Sequence, residues 1–142
     1  MAKLLILAAC ERVIIDQKQV PSLVSIFQNI EFSVNVPMPE NALAPFRWYV
    51  FALWRHTPDE AGKTFTQRIS VISPNGVEFA KAEAAYTLAA DDLYGKNTTE
   101  IFGVPIAHAG EMSVNVYLND EAEPRGSYFF TVRHQKKESS TN

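Results

Sequence analysis

Three imidazoles, His56, His108 and His134, and one thiol, Cys10, are the side chains here best suited to metal or nucleophilic chemistry. A metal site built on one strand or helix needs two ligands at i, i+2 or i, i+4 spacing. No pair of these histidines falls at either spacing, and no HExxH occurs. His108 and Glu111 lie near a bend between Gly103 and Gly110, where a solvated loop histidine is the simpler account. Cys10 would need a neighbouring histidine and a depressed pKa to act as a nucleophile. Its apolar surroundings read instead as a small core residue. Neither a Gly-x-Ser-x-Gly elbow nor a phosphate-binding or dinucleotide glycine motif is present. The acid pairs Asp59-Glu60, Asp91-Asp92 and Asp120-Glu121 fall in expected loops. Calcium needs several oxygens from one site, and two acids per loop read as solvated turns. No catalytic residue, metal or cofactor is therefore expected. A metal-dependent or hydrolytic enzyme remains a rival only if the histidines assemble in space.

The most unusual stretch is Phe46-Arg-Trp-Tyr-Val-Phe-Ala-Leu-Trp-Arg-His56, in which five of eleven residues are aromatic and both tryptophans occur. A helix would align Phe46, Tyr49, Val50, Leu53 and Trp54, so periodicity alone leaves the element open. Aromatic enrichment favours a strand. Phe46, Trp48, Val50, Ala52 and Trp54 then face one way, as the inner wall of a sandwich. Arg47, Tyr49, Phe51, Leu53 and Arg55 face the other, apolar in the middle and cationic at each end. One account of that second face is a central strand covered by a loop, with the arginines reaching water. The other is a contact surface, since interfaces favour aromatic centres and arginine. Trp48, Trp54 and Tyr49 are also candidate stacking platforms for a sugar or nucleotide in a concave pocket.

The elements that would position these residues read as strands. Turn signals recur at Asp16–Gln19, Pro37–Pro45, Thr57–Gly62, Ser73–Gly76, Asp91–Gly95 and Asn119–Gly126. Between them apolar residues alternate. Met112, Val114, Val116 and Leu118 oppose Ser113, Asn115 and Tyr117; Phe65, Ile69 and Val71 oppose Thr64, Thr66, Arg68 and Ser70. Tyr128, Phe130 and Val132 oppose Phe129, Thr131 and Arg133, while Val24, Ile26, Ile30, Phe32, Val34 and Val36 share one parity. Such alternation marks strands with one buried face. Ser73-Pro-Asn-Gly76 between two such runs is a hairpin signal. Pro21–Ile30 could begin helically with Ser22 as N-cap, and the alanine-rich 81–91 fits either helix or strand.

At 142 residues and 46% apolar composition, one domain of 1–134 is expected, with a frayed polar tail at 135–142. A net charge of −3 lacks the basic footprint of phosphate-backbone binding, so nucleic acid is not an expected partner. A single cysteine cannot form an internal disulfide and fits a reducing cytoplasm. Leu7-Ala-Ala-Cys10 has the shape of a lipoprotein cleavage site. However, only Leu4–Ala9 precede the cysteine, fewer than the roughly 7–15 apolar residues of a signal sequence. Apolar residues resume at Val13-Ile14-Ile15, as in a strand. The expectation is a cytoplasmic protein with no membrane partner.

Ala9-Cys-Glu-Arg-Val-Ile-Ile-Asp16, Pro21–Phe27, Ala44-Pro-Phe-Arg-Trp48 and Phe51-Ala-Leu-Trp54 resemble an uncharacterised bacterial family of small single-domain proteins. Ser73–Gly76, Gly103-Val-Pro-Ile106 and Gly110-Glu-Met112 fit the same resemblance. It implies a bacterial cytoplasmic origin and lends no catalytic residues.

The expected fold is all-β, an antiparallel two-sheet β-sandwich of about seven to nine strands, immunoglobulin-like or similar. The expected role is a non-enzymatic binding or assembly module with a protein partner or self-association, and Arg47, Tyr49, Phe51, Leu53 and Arg55 as its face. A small-ligand binder using Trp48 and Trp54 is the alternative.

Overall fold

Residues 1–34 and 38–136 are described by the structure, a computed structural model. They form nine strands: β1 (Lys3–Ile15), β2 (Pro21–Ile26), β3 (Asn29–Val34), β4 (Leu43–Arg55), β5 (Thr64–Ile72), β6 (Glu78–Thr87), β7 (Tyr94–Pro105), β8 (Gly110–Leu118) and β9 (Gly126–Lys136). A single 3₁₀ turn at Pro58–Glu60 is the only helical element among the described residues. No helix there is long and apolar enough to cross a membrane.

One sheet runs β2-β1-β4-β7 and the other β3-β9-β8-β5-β6. The chain passes from β4 to β5, makes the β5–β6 hairpin, returns for β7, and crosses again for the β8–β9 hairpin. This two-sheet order is that of immunoglobulin-like sandwiches, in which strands A, B and E face G, F, C and C′. The inter-sheet disulfide of antibody domains has no counterpart, because Cys10 is the sole cysteine. One pairing departs from the expected antiparallel pattern: β3 runs parallel to β9, with Asn29 opposite Thr131.

Alternation decides the core. Met112, Val114, Val116 and Leu118 of β8 meet Trp48, Val50, Ala52 and Trp54 of β4 in one cluster with Phe65, Ile69, Val71, Phe130 and Val132. The Ser73–Gly76 turn closes β5 onto β6, with Gly76 at φ +83°, a backbone conformation that suits glycine. The alanine-rich 81–91 segment is strand as far as Thr87, paired along its length with β5.

Several boundaries differ from expectation. The run from Val24 to Val34 is not one strand but two, broken at Phe27-Gln28 and divided between the sheets, and no helix forms in it. Val36 lies outside the described residues. β7 already begins at Tyr94, inside the expected Asp91–Gly95 turn, and Gly103 sits within it at a bulge opposite Pro45-Phe46. β9 continues two residues past His134, pairing Gln135 and Lys136 with Ser33 and Val34. The rest of the expected tail, 137–142, lies outside the described residues.

Candidate functional site

The candidate face is the outer surface of the four-stranded sheet. Trp48, Val50, Ala52 and Trp54 of β4 point inward, which leaves Arg47, Tyr49, Phe51, Leu53 and Arg55 outward. β1 keeps the same parity because an extra residue, Leu5, bulges between Leu4 and Ile6. Leu4, Leu7 and Ala9 therefore face the core, and Ile6, Ala8 and Cys10 lie outward beside Leu53, Phe51 and Tyr49.

Phe51 corrects the sequence expectation. It is only 1% exposed, and Ala8 and Cys10 beside it are buried as well. The geometry points to the β1–β2 hairpin as its cover. β1 pairs with β4 only as far as Cys10, then continues with β2 alone to Ile15. The turn is tied by Asp16, whose Oδ1 accepts the amides of Lys18 at 2.8 Å and Val20 at 2.9 Å. Beyond it, the Gln19 carbonyl accepts Lys96 Nζ at 2.7 Å, from β7 at the far side of the sheet. Four strands span about 14 Å at ordinary spacing. A lysine side chain cannot bridge that width, so the hairpin leans back over the outer face. Burial pushes the Cys10 thiol up, against a hydrogen bond with the Arg12 backbone, so it stays protonated and inert.

The rest of the face remains at the surface. Arg47 meets Glu100 at 3.3 Å, and the Arg55 guanidinium lies 4.8 Å above the Tyr94 ring. Tyr49 and Leu53 are half-buried. Ile6, Ile26, Tyr94 and Phe102, which share this side, are 43%, 49%, 44% and 59% exposed. The outer face of the five-stranded sheet is different in kind. Arg68, Ser70, Lys81, Glu83, Asn115 and Ser127 dominate it, and Phe129 is its one exposed large apolar side chain among the described residues.

Trp48 and Trp54 are also corrected. Both rings are fully buried. Trp48 Nε1 donates to the Gly103 carbonyl at 2.7 Å, and its ring meets Phe130 edge-on at 5.5 Å. Trp54 Nε1 donates to Gln67 Oε1 at 2.7 Å, which also accepts Asn97 Nδ2 at 3.1 Å. With every face packed, neither ring can stack on a ligand.

The histidines occupy three separate environments. His108 pairs with Glu40 at 2.8 Å, not with Glu111, beside an apolar groove lined by Leu43, Val77, Phe79 and Pro105. His134 lies on β9 opposite Phe32. His56 follows β4 and is buried. Its Nε2 lies 2.8 Å from the Tyr86 hydroxyl and its Nδ1 3.5 Å from Glu60. Among the described residues no three His, Cys, Asp or Glu side chains come together as metal ligands.

The His56–Tyr86–Glu60 group went unseen in the sequence, although Thr57-x-x-Glu60 has the spacing of a capping box. Glu60 Oε1 accepts the Thr57 amide and hydroxyl, both at 3.0 Å, and the Met1 ammonium lies 3.5 Å away. Burial pushes His56 below its ordinary value despite the pull of Glu60. Burial alone would raise Glu60, but the Thr57 bonds and neighbouring positive charge hold it below the usual range. Burial, with the Glu60 charge, drives the Tyr86 phenol up. The imidazole is thus neutral and the phenol protonated. This arrangement suits a structural tie more than proton transfer.

A family model described as a family of unknown function, DUF6941, matches residues 5–133. The chain belongs to this family. DUF6941 carries no assigned activity that would add residues to the site. No curated protein matches the chain. Solved structures similar to this DUF6941 member include an immunoglobulin-like protein from Pseudomonas aeruginosa, 14% identical, at a TM-score of 0.42. The match covers 94% of this chain and 97% of that one.

Proposed function

We propose that this DUF6941 protein is a non-enzymatic binding and assembly module of a bacterial cytoplasm, contacting protein through the outer face of its four-stranded sheet. The contrast between the two outer faces supports this reading. One presents Ile6, Ile26, Tyr94 and Phe102 around half-buried Tyr49 and Leu53, with Arg47 and Arg55 among them; the other is polar apart from Phe129 and is dominated by charged and hydroxyl side chains. Exposed apolar and aromatic side chains gathered on one surface mark protein contacts. Arginine and tyrosine are the residue types that carry energy there. Phe51 is buried and takes no direct part. The buried thiol and the small negative net charge fit a reducing, intracellular setting.

Affinity purification at native abundance, run on the wild type, Arg47→Glu, Tyr49→Ala and Arg68→Ala, tests the reading. Partner recovery should fall for the first two variants and hold for Arg68→Ala, on the other sheet. Equal recovery from all four, with circular dichroism unchanged, would contradict it.

A further inference from the structure

We propose that two copies of the chain pair through the free edge of β7, antiparallel and centred on Thr98, merging their four-stranded sheets into one. This rests on the assembly reading above and names the partner as a second copy. Among the described residues β7 has β4 on one side and no strand on the other. Over its twelve residues it therefore offers outward backbone donors and acceptors that want partners.

The other edges are blunted. β2 has six residues, opens on Pro21 and is kinked at Ser25, φ +57°. β3 is equally short. β6 has four alanines among its ten residues and turns Lys81, Glu83, Ala85 and Thr87 outward, with no aromatic side chain there to meet a partner.

The outward residues of β7 are Tyr94, Lys96, Thr98, Glu100 and Phe102. They read aromatic, cation, threonine, anion, aromatic, a pattern symmetric about Thr98 except that charge inverts across it. An antiparallel pair centred there sets Lys96 opposite the partner's Glu100, Tyr94 opposite the partner's Phe102, and Thr98 opposite the partner's Thr98. Two-fold symmetry makes each unlike pair twice. Opposite charges, paired aromatics and paired threonines are the favourable cross-strand combinations. The register is specific. A slip of one residue turns the partner's core to the wrong side. Slips of two place Lys96 opposite the partner's Thr98 or Phe102, and both charge pairs vanish. Lys96 already donates to Gln19 and Glu100 meets Arg47, but an ammonium has three donors and a carboxylate two oxygens. The exposed Tyr94 and Phe102 lie beside the new seam, so pairing the edges also covers part of the apolar face.

Cysteine cross-linking and a charge swap on the full chain test this. The native thiol Cys10 is buried and does not compete. Thr98→Cys treated with a short bis-maleimide should give covalent dimer at least about tenfold faster than Lys81→Cys on the β6 edge. In sedimentation equilibrium, Lys96→Glu and Glu100→Lys should each weaken dimerisation about tenfold, and the double swap should restore it. Dimer yield from Thr98→Cys no higher than from Lys81→Cys, or a double swap no better than either single change, would overturn the pairing. If Arg47→Glu still loses a partner in the purification while Thr98→Cys stays monomeric, the edge pairing fails and the face reading stands. If the cross-link and charge rescue appear while the face variants recover every partner, the face reading fails and the pairing stands.

Discussion

Gly95→Ala probes the seam where the two sheets come together at β6 and β7. A methyl group at Gly95 would lie 2.6 Å from Tyr86 Cε2 and 3.0 Å from Cζ. Carbon atoms rest at about 3.5–4.0 Å, so the ring would have to retreat by roughly 1 Å. It has little freedom to do so. Its hydroxyl is bonded to His56 at 2.8 Å, and its ring stacks on Phe65 at 5.9 Å. Overpacking of this kind costs about 1–3 kcal/mol, and a lost Tyr86–His56 bond adds about 1. Reduced chain entropy returns about 0.4–1 kcal/mol, leaving a net loss of about 1–3. Urea unfolding followed by Trp48 and Trp54 fluorescence should show the midpoint falling by about 0.5–1.5 M. In a Tyr86→Ala background the same methyl meets no ring, and the substitution should become neutral or stabilising. The resulting coupling should reach about 2 kcal/mol. An equal midpoint shift in both backgrounds, or none in either, would refute the packing argument.

Other perturbations read other parts of the structure. Phe51→Ala should cost about 3–5 kcal/mol although the residue is on an outer face, because the hairpin covers it. A loss below about 0.5 kcal/mol, measured by thermal unfolding, would mean that the cover does not exist. Trp54→Phe should cost about 1–3 kcal/mol through the lost bond to Gln67 and should cost less in a Gln67→Leu background. A cycle in urea checks this, and equal costs would contradict it. Stability should also depend on pH through His56. Its folded pKa is depressed, so below about pH 6.5 the unfolded chain binds a proton that the fold refuses. Stability is then unaffected above that pH and falls beneath it, by up to about 1.4 kcal/mol per unit. The depressed Glu60 carboxyl extends the loss below about pH 4.5. Urea midpoints from pH 8 to 4 should fall less steeply between about 6.5 and 5 for His56→Gln; an unchanged slope would contradict the assignment.

The fold was legible because alternation is local. Met112 to Leu118 carries its buried face in its own spacing, and so does the inner wall from Trp48 to Trp54. What lies on top of a face is not local. Phe51 has the same outward parity as Arg47 and Arg55, yet residues some thirty positions earlier in the chain cover it. The tryptophans show the same limit: their spacing told which way they point, not that Gly103 and Gln67 would satisfy their N–H groups. Val24 to Val34 kept one parity across a break that sends its halves to different sheets, since parity is blind to a two-residue interruption. At 81–91 helix propensity competed with pairing, and pairing to β5 decided as far as Thr87. His56, Glu60 and Tyr86 meet only after two sheets close, so only the Thr57–Glu60 spacing was visible beforehand.

Hydrogen–deuterium exchange of the wild-type chain, compared at low and high protein concentration, tests the assembly account most directly. Alternate amides between Tyr94 and Phe102 should become protected as concentration rises, while those of β2, β3 and β6 should not change. Exchange along β7 that is the same at every concentration would contradict it.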